Sequence, residues 1–171
     1  NQEKLDWINH SYIKTTEINE LVSELEWHLN KLSIDLSDGP DMKGVVEALR
    51  DRSKSLVDMA QNCVMFYHDF EDFNSDLAMK FFHLESRLVL DDLLINLNSL
   101  EQWTAQHIHE VIQEICESRN IGFGKVGQPF RLAISGDGKA GSIDKSAQLV
   151  GKKRVLLRLK MAIDWIDSLP S

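Results

Sequence analysis

The sequence predicts an all-α protein, and three observations carry the prediction. Apolar residues recur at spacings of three and four along nearly the whole chain. Sustained alternation at period two is missing, so any strand is short. At 43% apolar and 27% charged over 171 residues, the chain has material for a packed core.

The elements follow in order. Ile18, Leu21, Val22, Leu25, Leu29 and Leu32 mark one helical stripe, with Thr15 or Thr16 placed to cap it. After the breaker SDGPD, Met42, Val45, Val46 and Leu49 repeat the pattern, with Asp41 as the capping residue. A third stretch sets Leu56, Ala60, Cys63, Val64 and Tyr67 on one face. Leu77, Phe81, Leu84 and Leu88, then Leu94, Leu97 and Leu100, predict one or two more helices. Another opens at Trp103-Thr104 with Ile108, Val111, Ile112 and Ile115 inward. The last is the clearest, with Val155, Leu156, Leu159, Ala162, Ile163 and Ile166 inward.

Two composition shifts mark joints. YHDFEDFNSD at 67–76 is acidic and aromatic and connects two helical halves. Seven of the nine glycines lie between Gly122 and Gly151, the composition of a linker or of backbone approaching a ligand. Interleaved Phe123, Val126, Phe130, Leu132, Ile134 and Ile143 argue against disorder there.

Composition also excludes classes. No apolar run approaches the ~18 residues of a membrane span, and NQEKLDWINH lacks the pattern of a signal peptide. Cys63 and Cys116 stand apart without a CxxC pair, which points to a reducing, cytoplasmic setting. The start at Asn1 without Met fits a piece of a longer protein. The net charge of −8 disfavours a polyanionic partner until its distribution is examined. From Ser118 to Ala162 there are ten Lys/Arg against two acidic residues, a local +8; the remainder has nine against twenty-five, a local −16. A polyanion meets only the face presented to it.

No catalytic constellation survives a spacing test. GFGKVG at 122–127 fits G-x-G-x-x-G but has a helix before it and Gln128-Pro129 directly after, where the dinucleotide fingerprint needs a strand and then a helix. SGDGKAGS at 135–142 has Ala133 and Ala140 where a phosphate loop needs Gly and Ser/Thr, although its turn can expose backbone N–H groups and Lys139. His107 and His109 point about 200° apart on a helix and cannot share a metal. Asp91-Asp92 diverge likewise and have no partner base. Trp27 and Trp165 fall within helical patterns, as core or boundary residues. Lys152, Lys153 and Arg154, with Arg158 and Lys160, spiral around one helix as a solvated face or a guide for a phosphate backbone.

Six segments in order carry a resemblance. KLDWINHSYI (4–13), EALRDRSKSLVDMA (47–60), CVMFYHDF (63–70), EQWTAQHIHEVIQ (101–113), GFGKVGQPFRLAISG (122–136) and LVGKKRVLLRL (149–159) resemble, in register, the C-terminal part of bacterial glutamyl-tRNA synthetases. That resemblance implies two consecutive helical subdomains forming the anticodon-binding region of a class I aminoacyl-tRNA synthetase. Residues 1–14 would end the connection from the catalytic part, with subdomains at 15–70 and 71–171. It implies tRNA(Glu) as partner, with no membrane or DNA, and a monomer. It implies no cofactor in this segment; ATP and magnesium would serve the catalytic part of the parent ligase.

Carried over by motif, Arg52 and Arg131 become anticodon contacts, to the third and the first base respectively, and Ala140, Gly141 and Ile143 become loop contacts. Lys139, Lys152, Lys153 and Arg154 are candidates for the phosphate backbone. The sequence departs from the family pattern at Phe130 (Leu), Ser135 (Thr) and Gly141 (often Pro). Arginine suits this work because its planar fork of donors matches acceptor pairs on splayed bases. From the residues alone, the favoured reading of Arg52 is a surface ion pair with Glu47 or Asp51, and the rival reading of the chain is a helical interaction domain whose basic end binds an acidic partner.

The chain by itself is expected neither to activate glutamate nor to charge tRNA. Glutamate-dependent ATP–pyrophosphate exchange measured on the pure chain stays at background; exchange above background contradicts this reading.

Overall fold

The computed structural model describes residues 1–170, and it contains ten α-helices with no strand among the described residues. The all-α expectation holds. The chain forms two compact units, Asn1–His68 and Asp69 onward.

The first unit comprises α1 (Gln2–Thr15), α2 (Ile18–Lys31), α3 (Met42–Leu49), a 3-10 turn (Arg50–Arg52) and α4 (Leu56–Tyr67). α2 packs against both α3 and α4, with Leu21, Leu25, Leu29, Val45, Val46, Met59, Cys63 and Phe66 buried together. Each such side chain contributes about 1.5–3 kcal/mol on leaving water. Burial also pushes the Cys63 thiol up to about 12, so it behaves as an unreactive core group.

Several local expectations change here: Leu32 is exposed just past the end of α2, and Asp41 begins α3 without a side-chain capping bond. Thr15 and Thr16 do not cap α2: their hydroxyls back-bond to the carbonyls of Ser11 and Tyr12, closing α1. Glu17 is the N-cap of α2, and its carboxylate accepts from the Glu20 N–H. In α4 the inward set is Met59, Ala60, Cys63, Phe66 and Tyr67, whereas Leu56 and Val64 are half-buried. The face is rotated because the two aromatics, with more surface to bury, take the core positions.

The second unit comprises α5 (Ser75–Phe81), α6 (Leu84–Asn98), α7 (Ala105–Arg119), α8 (Phe123–Ser135), α9 (Ile143–Val150) and α10 (Lys152–Asp167). α10 lies along α6 and α8, and α7 packs on α6, α8 and α9. Ile108, Val111, Ile112 and Ile115 face inward as expected, as do Val155, Leu159, Ala162, Ile163 and Ile166, whereas Leu156, expected with them, is half-buried. On α6 the stripe differs: Val89, Leu90, Leu93 and Leu97 are buried, while Leu84 and Leu88 are exposed. Leucines on opposite sides of this helix leave two competing stripes, and contact with α10 selects one. Trp27, expected at a core or boundary position, stands outside on α2 with the Lys31 ammonium 4.2 Å over its ring.

The glycine-rich stretch is the larger surprise. It contains a 13-residue helix, α8, with Pro129 inside it. Proline denies that helix one backbone bond, yet Val126, Pro129, Phe130, Ala133 and Ile134 are all buried. Packing overrides propensity here.

Gly39 shows how tightly the first unit closes. A Cβ there would lie 2.2 Å from Cδ1 of Tyr67, whose hydroxyl donates to the Pro40 carbonyl at 2.9 Å. Tyr67 is buried and cannot swing away. Gly39→Ala is therefore expected to lower stability by about 1–3 kcal/mol in urea unfolding. A neutral result would show that the 33–41 loop yields without cost.

Candidate nucleic-acid interface

In the first unit the structure presents one arginine and immobilises its neighbours. Arg50 aims Nη2 at three carbonyls, Ile13 at 3.0 Å, Lys14 at 3.0 Å and Thr16 at 2.6 Å. These belong to the C-terminal turn of α1 and the residue after it, where carbonyls lack helical partners and attract a cation. Ser53 is fully buried; its hydroxyl donates to the Leu49 carbonyl at 2.7 Å, and its own carbonyl lies 2.9 Å from His10 Nδ1. Ser55 then caps α4 by accepting from the Asp58 N–H, and Asp58 accepts from the Lys54 N–H. Arg52 sits in the 3-10 turn between these anchors. Its side chain is exposed and makes no hydrogen bond or ion pair with another described residue. The surface pair with Glu47 or Asp51 does not form.

In the second unit Arg131 projects from α8 onto the loop that follows it. Nε donates to the Ala140 carbonyl at 3.0 Å, Nη2 to the Gly141 carbonyl at 3.4 Å and Nη1 to Gln128 Oε1 at 3.5 Å. The loop is built from inside as well. Ser135 donates to the Arg131 carbonyl and accepts from the Gly138 N–H, and Asp137 accepts from the Lys139 N–H. Gly136 and Gly138 have φ of 77° and 75°, left-handed backbone that L side chains rarely adopt. Ala140 and Ile143 point into the core, at 6% and 2% exposure, whereas Gly141 is half-buried and Lys139 exposed. A ligand on this loop therefore meets backbone, Lys139 and the edge of Arg131. The Ala140 and Ile143 side chains serve to hold the loop.

The basic helix divides in the same manner. Lys152 donates to the Leu100 carbonyl at 2.7 Å, and Arg154 pairs with Asp69 at 2.9 Å. Both are committed within the unit, which removes them from the simplest phosphate-binding role. Lys153 is exposed with no ion pair among the described residues. Arg158, expected on a solvated spiral, is buried at 2% exposure. Its Nη1 donates to the Ile134 carbonyl at 2.6 Å, its guanidinium lies 4.8 Å from the Phe70 ring centre, and Nη2 is 3.6 Å from Asp69. Burial pushes its pKa down to about 10, against the pull of Asp69, and it remains a cation at neutral pH.

Sequence reasoning missed the residues that support the loop. Phe70 lies against Gly136, where a Cβ would come within 3.0 Å of the ring. The Asn74 N–H donates to the Gly136 carbonyl at 2.8 Å. Phe70, Phe73, Phe82 and Trp165 form a chain of ring contacts with centroids 5.0–5.7 Å apart. The aromatic content of 67–76 was the available signal, since a plain linker has no use for it. Among the described residues no group of His, Cys, Asp and Glu is placed to hold a metal. Among the described residues no helix is long and apolar enough to cross a membrane.

The first unit offers an exposed arginine on an anchored turn and the second a left-handed, backbone-rich loop, groups of the kind that read splayed single-stranded bases. The family described as "Anticodon binding domain" matches residues 17–163, and the chain belongs to that family. Among its relatives, the glutamate–tRNA ligase of Vesicomyosocius okutanii is 50% identical over 165 residues, and that of Ruthia magnifica 47% over 164. The match covers 96% of this chain in both cases, and the chain spans 36% of either relative. A solved glutamate tRNA ligase from Elizabethkingia meningosepticum superposes with a TM-score of 0.86 at 23% identity, over 97% of this chain and 33% of that one. A glutamate-tRNA synthetase from Elizabethkingia anophelis gives 0.79 at 24% identity, over 96% and 32%. These two likenesses establish the fold.

Asp69 gives a pH handle on the loop's support. Burial acts to raise its carboxyl, but the Arg154 hydrogen bond and the charges of Arg154 and Arg158 outweigh it and hold the group below its usual range. A carboxylate depressed in the fold stabilises it above the unfolded pKa of ~4, and that stability is lost as pH falls through the folded value. Asp69→Asn is expected to be less stable than wild type at pH 7. The gap should narrow in urea unfolding as pH falls below ~4, and also in high salt, because the carboxylate is 73% exposed. A deficit equal at every pH would locate the effect elsewhere.

Proposed function

We propose that the chain is the anticodon-reading module of a glutamate–tRNA ligase and that its ligand is tRNA(Glu). The relatives' names supply the amino acid, and the observation that carries the RNA reading is the unpaired Arg52 guanidinium on a turn bolted to α1. A side chain with no internal partner gives up no bond to meet a ligand and loses only its own rotamer freedom, about 0.5–1.5 kcal/mol. Arg131 takes the first anticodon base, exchanging its weaker loop contacts for acceptors on the base; Gly141 and the backbone at Ala140 and Ile143 line that approach. Lys139 and Lys153 meet phosphates. Glutamate, ATP and magnesium are handled by the remainder of the parent enzyme, a cytoplasmic monomer.

The third base provides the discrimination. tRNA(Glu) ends its anticodon in C, whose Watson–Crick edge offers the acceptors N3 and O2; tRNA(Gln) ends in G, which offers N1–H and N2–H donors. Arginine has donors only, so G meets it donor against donor. Leaving those donors unpaired costs about 1–3 kcal/mol, roughly a ten- to hundred-fold preference. Binding of this chain to tRNA(Glu) and to the same tRNA with G as third base, at fixed salt, is expected to show that preference. Arg52→Gln should collapse it, because the amide can turn to present either donor or acceptor. Equal ratios for wild type and Arg52→Gln would remove Arg52 from base reading, and binding blind to anticodon sequence would favour the interaction-domain alternative.

A further inference from the structure

We propose that Lys54 holds a phosphate flanking the base that Arg52 reads, so that the turn between α3 and α4 grips one nucleotide by its base and by its backbone; this rests on the assignment of Arg52 to the third anticodon base. The backbone sets the two side chains on one edge. Ser53 is extended, at φ −89° and ψ 133°, and its side chain is fully buried with its hydroxyl on the Leu49 carbonyl. Successive side chains of extended backbone point to opposite sides, so a buried Ser53 turns Arg52 and Lys54 outward together. Both are exposed. Two residues of extended chain separate their Cα atoms by roughly 6–7 Å, and each carries a long stem. The Lys54 end of the edge is tied to α4: its N–H donates to Asp58 at 3.0 Å, and Ser55 caps that helix by accepting from the Asp58 N–H. The Lys54 ammonium makes no hydrogen bond or ion pair with another described residue.

Charge and chemistry select the ligand. The unit Asn1–His68 carries seven Lys/Arg against twelve Asp/Glu, a balance that repels a polyanion. Three of those seven cations fall between Arg50 and Lys54, with Asp51 and Asp58 as the acidic groups of the segment 50–58; outside it the count is four against ten. Arg50 is committed to the carbonyls at the end of α1, which leaves Arg52 and Lys54 as the cations this turn offers to a ligand. The two are not equivalent. Arginine's planar fork matches a pair of acceptors on a base, whereas an ammonium is a compact charge whose three donors turn to meet phosphate oxygens. Contacts to phosphate position a strand, and contacts to bases specify it. Lys54 therefore adds affinity whatever the third base, and Arg52 supplies the choice between bases.

The test titrates the full chain with anticodon-arm hairpins of tRNA(Glu), carrying C or G as third base, over a range of salt. Lys54→Gln is expected to weaken binding of both hairpins about two- to tenfold while the preference for C stays intact. It should also lower the slope of log affinity against log salt by about 0.7–1. Lys54→Arg keeps affinity and slope near wild type. Lys43→Gln, an exposed position at the opposite end of α3, keeps the wild-type slope. A neutral methylphosphonate at either linkage flanking the third base locates the contact: at one of the two, its loss and that of Lys54→Gln are not additive. Circular dichroism confirms that each variant is folded. The assignment is overturned if Lys54→Gln binds both hairpins like wild type, if Lys54→Arg or Lys43→Gln behaves as Lys54→Gln does, or if both methylphosphonates add their full loss to it. Each of those results leaves the Arg52 reading standing so long as wild type prefers C. Wild-type binding blind to the third base overturns that reading, and the phosphate assignment with it.

Discussion

The buried Arg158 guanidinium is the constraint on which the second unit's surface depends. A cation removed from water must be met on every side, and here a carbonyl, an aromatic face and a carboxylate meet it. Each of those partners has a second task. The Ile134 carbonyl lies one residue before the end of α8, so the bond fixes where the helix stops and the loop begins. Phe70 presses against Gly136, the first left-handed residue of that loop. Asp69 also binds Arg154, near the start of α10. One charge therefore ties the segment after the joint, the end of α8 and the face of α10 to the hinge of the candidate reading loop.

The first unit solves the same problem with Arg50. Its guanidinium ties the turn to the C-terminal end of α1, and the neighbour Arg52 is left outside. Each unit anchors one arginine by hydrogen bonds to backbone carbonyls beside the segment that carries another. An anchored backbone behind an exposed arginine confines the ordering cost of any contact it makes to the side chain itself. The two arginines differ in their present partners: Arg52 has none among the described residues, whereas Arg131 is bonded to the Ala140 and Gly141 carbonyls.

Much of the fold was legible in the sequence because helical periodicity is a local signal. The inward face of α7 follows directly from spacing, and that of α10 does so apart from Leu156, half-buried, and Arg158, buried. α6 defeated that method because leucines on opposite sides gave two stripes, and only the position of α10 separates them. α8 defeated it for a different reason: two glycines and a proline argue locally for a loop, while burial of Val126, Phe130, Ala133 and Ile134 holds a helix. At the candidate site the motifs located Arg52, Arg131 and the loop. They could not show that Ala140 and Ile143 are buried, that Lys152 and Arg154 are internally bonded, or that Arg158 lies inside. Those facts depend on residues 24 to 89 positions away in sequence, and single-sequence patterns do not carry such pairings.

The central claim is that a small set of presented groups, on supports already formed, reads a single-stranded anticodon. Side-chain Nε–Hε and backbone amide resonances, followed by NMR while an anticodon-arm hairpin of tRNA(Glu) is added, test it most directly. The account predicts large shifts at Arg52 and Arg131 Nε and at the amides of 137–141. The Arg158 Nε signal and the Gly136 amide should stay nearly still, because the support does not rearrange. Perturbation spread over the acidic helices of the first unit, or a large movement of Arg158 with Arg52 silent, would contradict it.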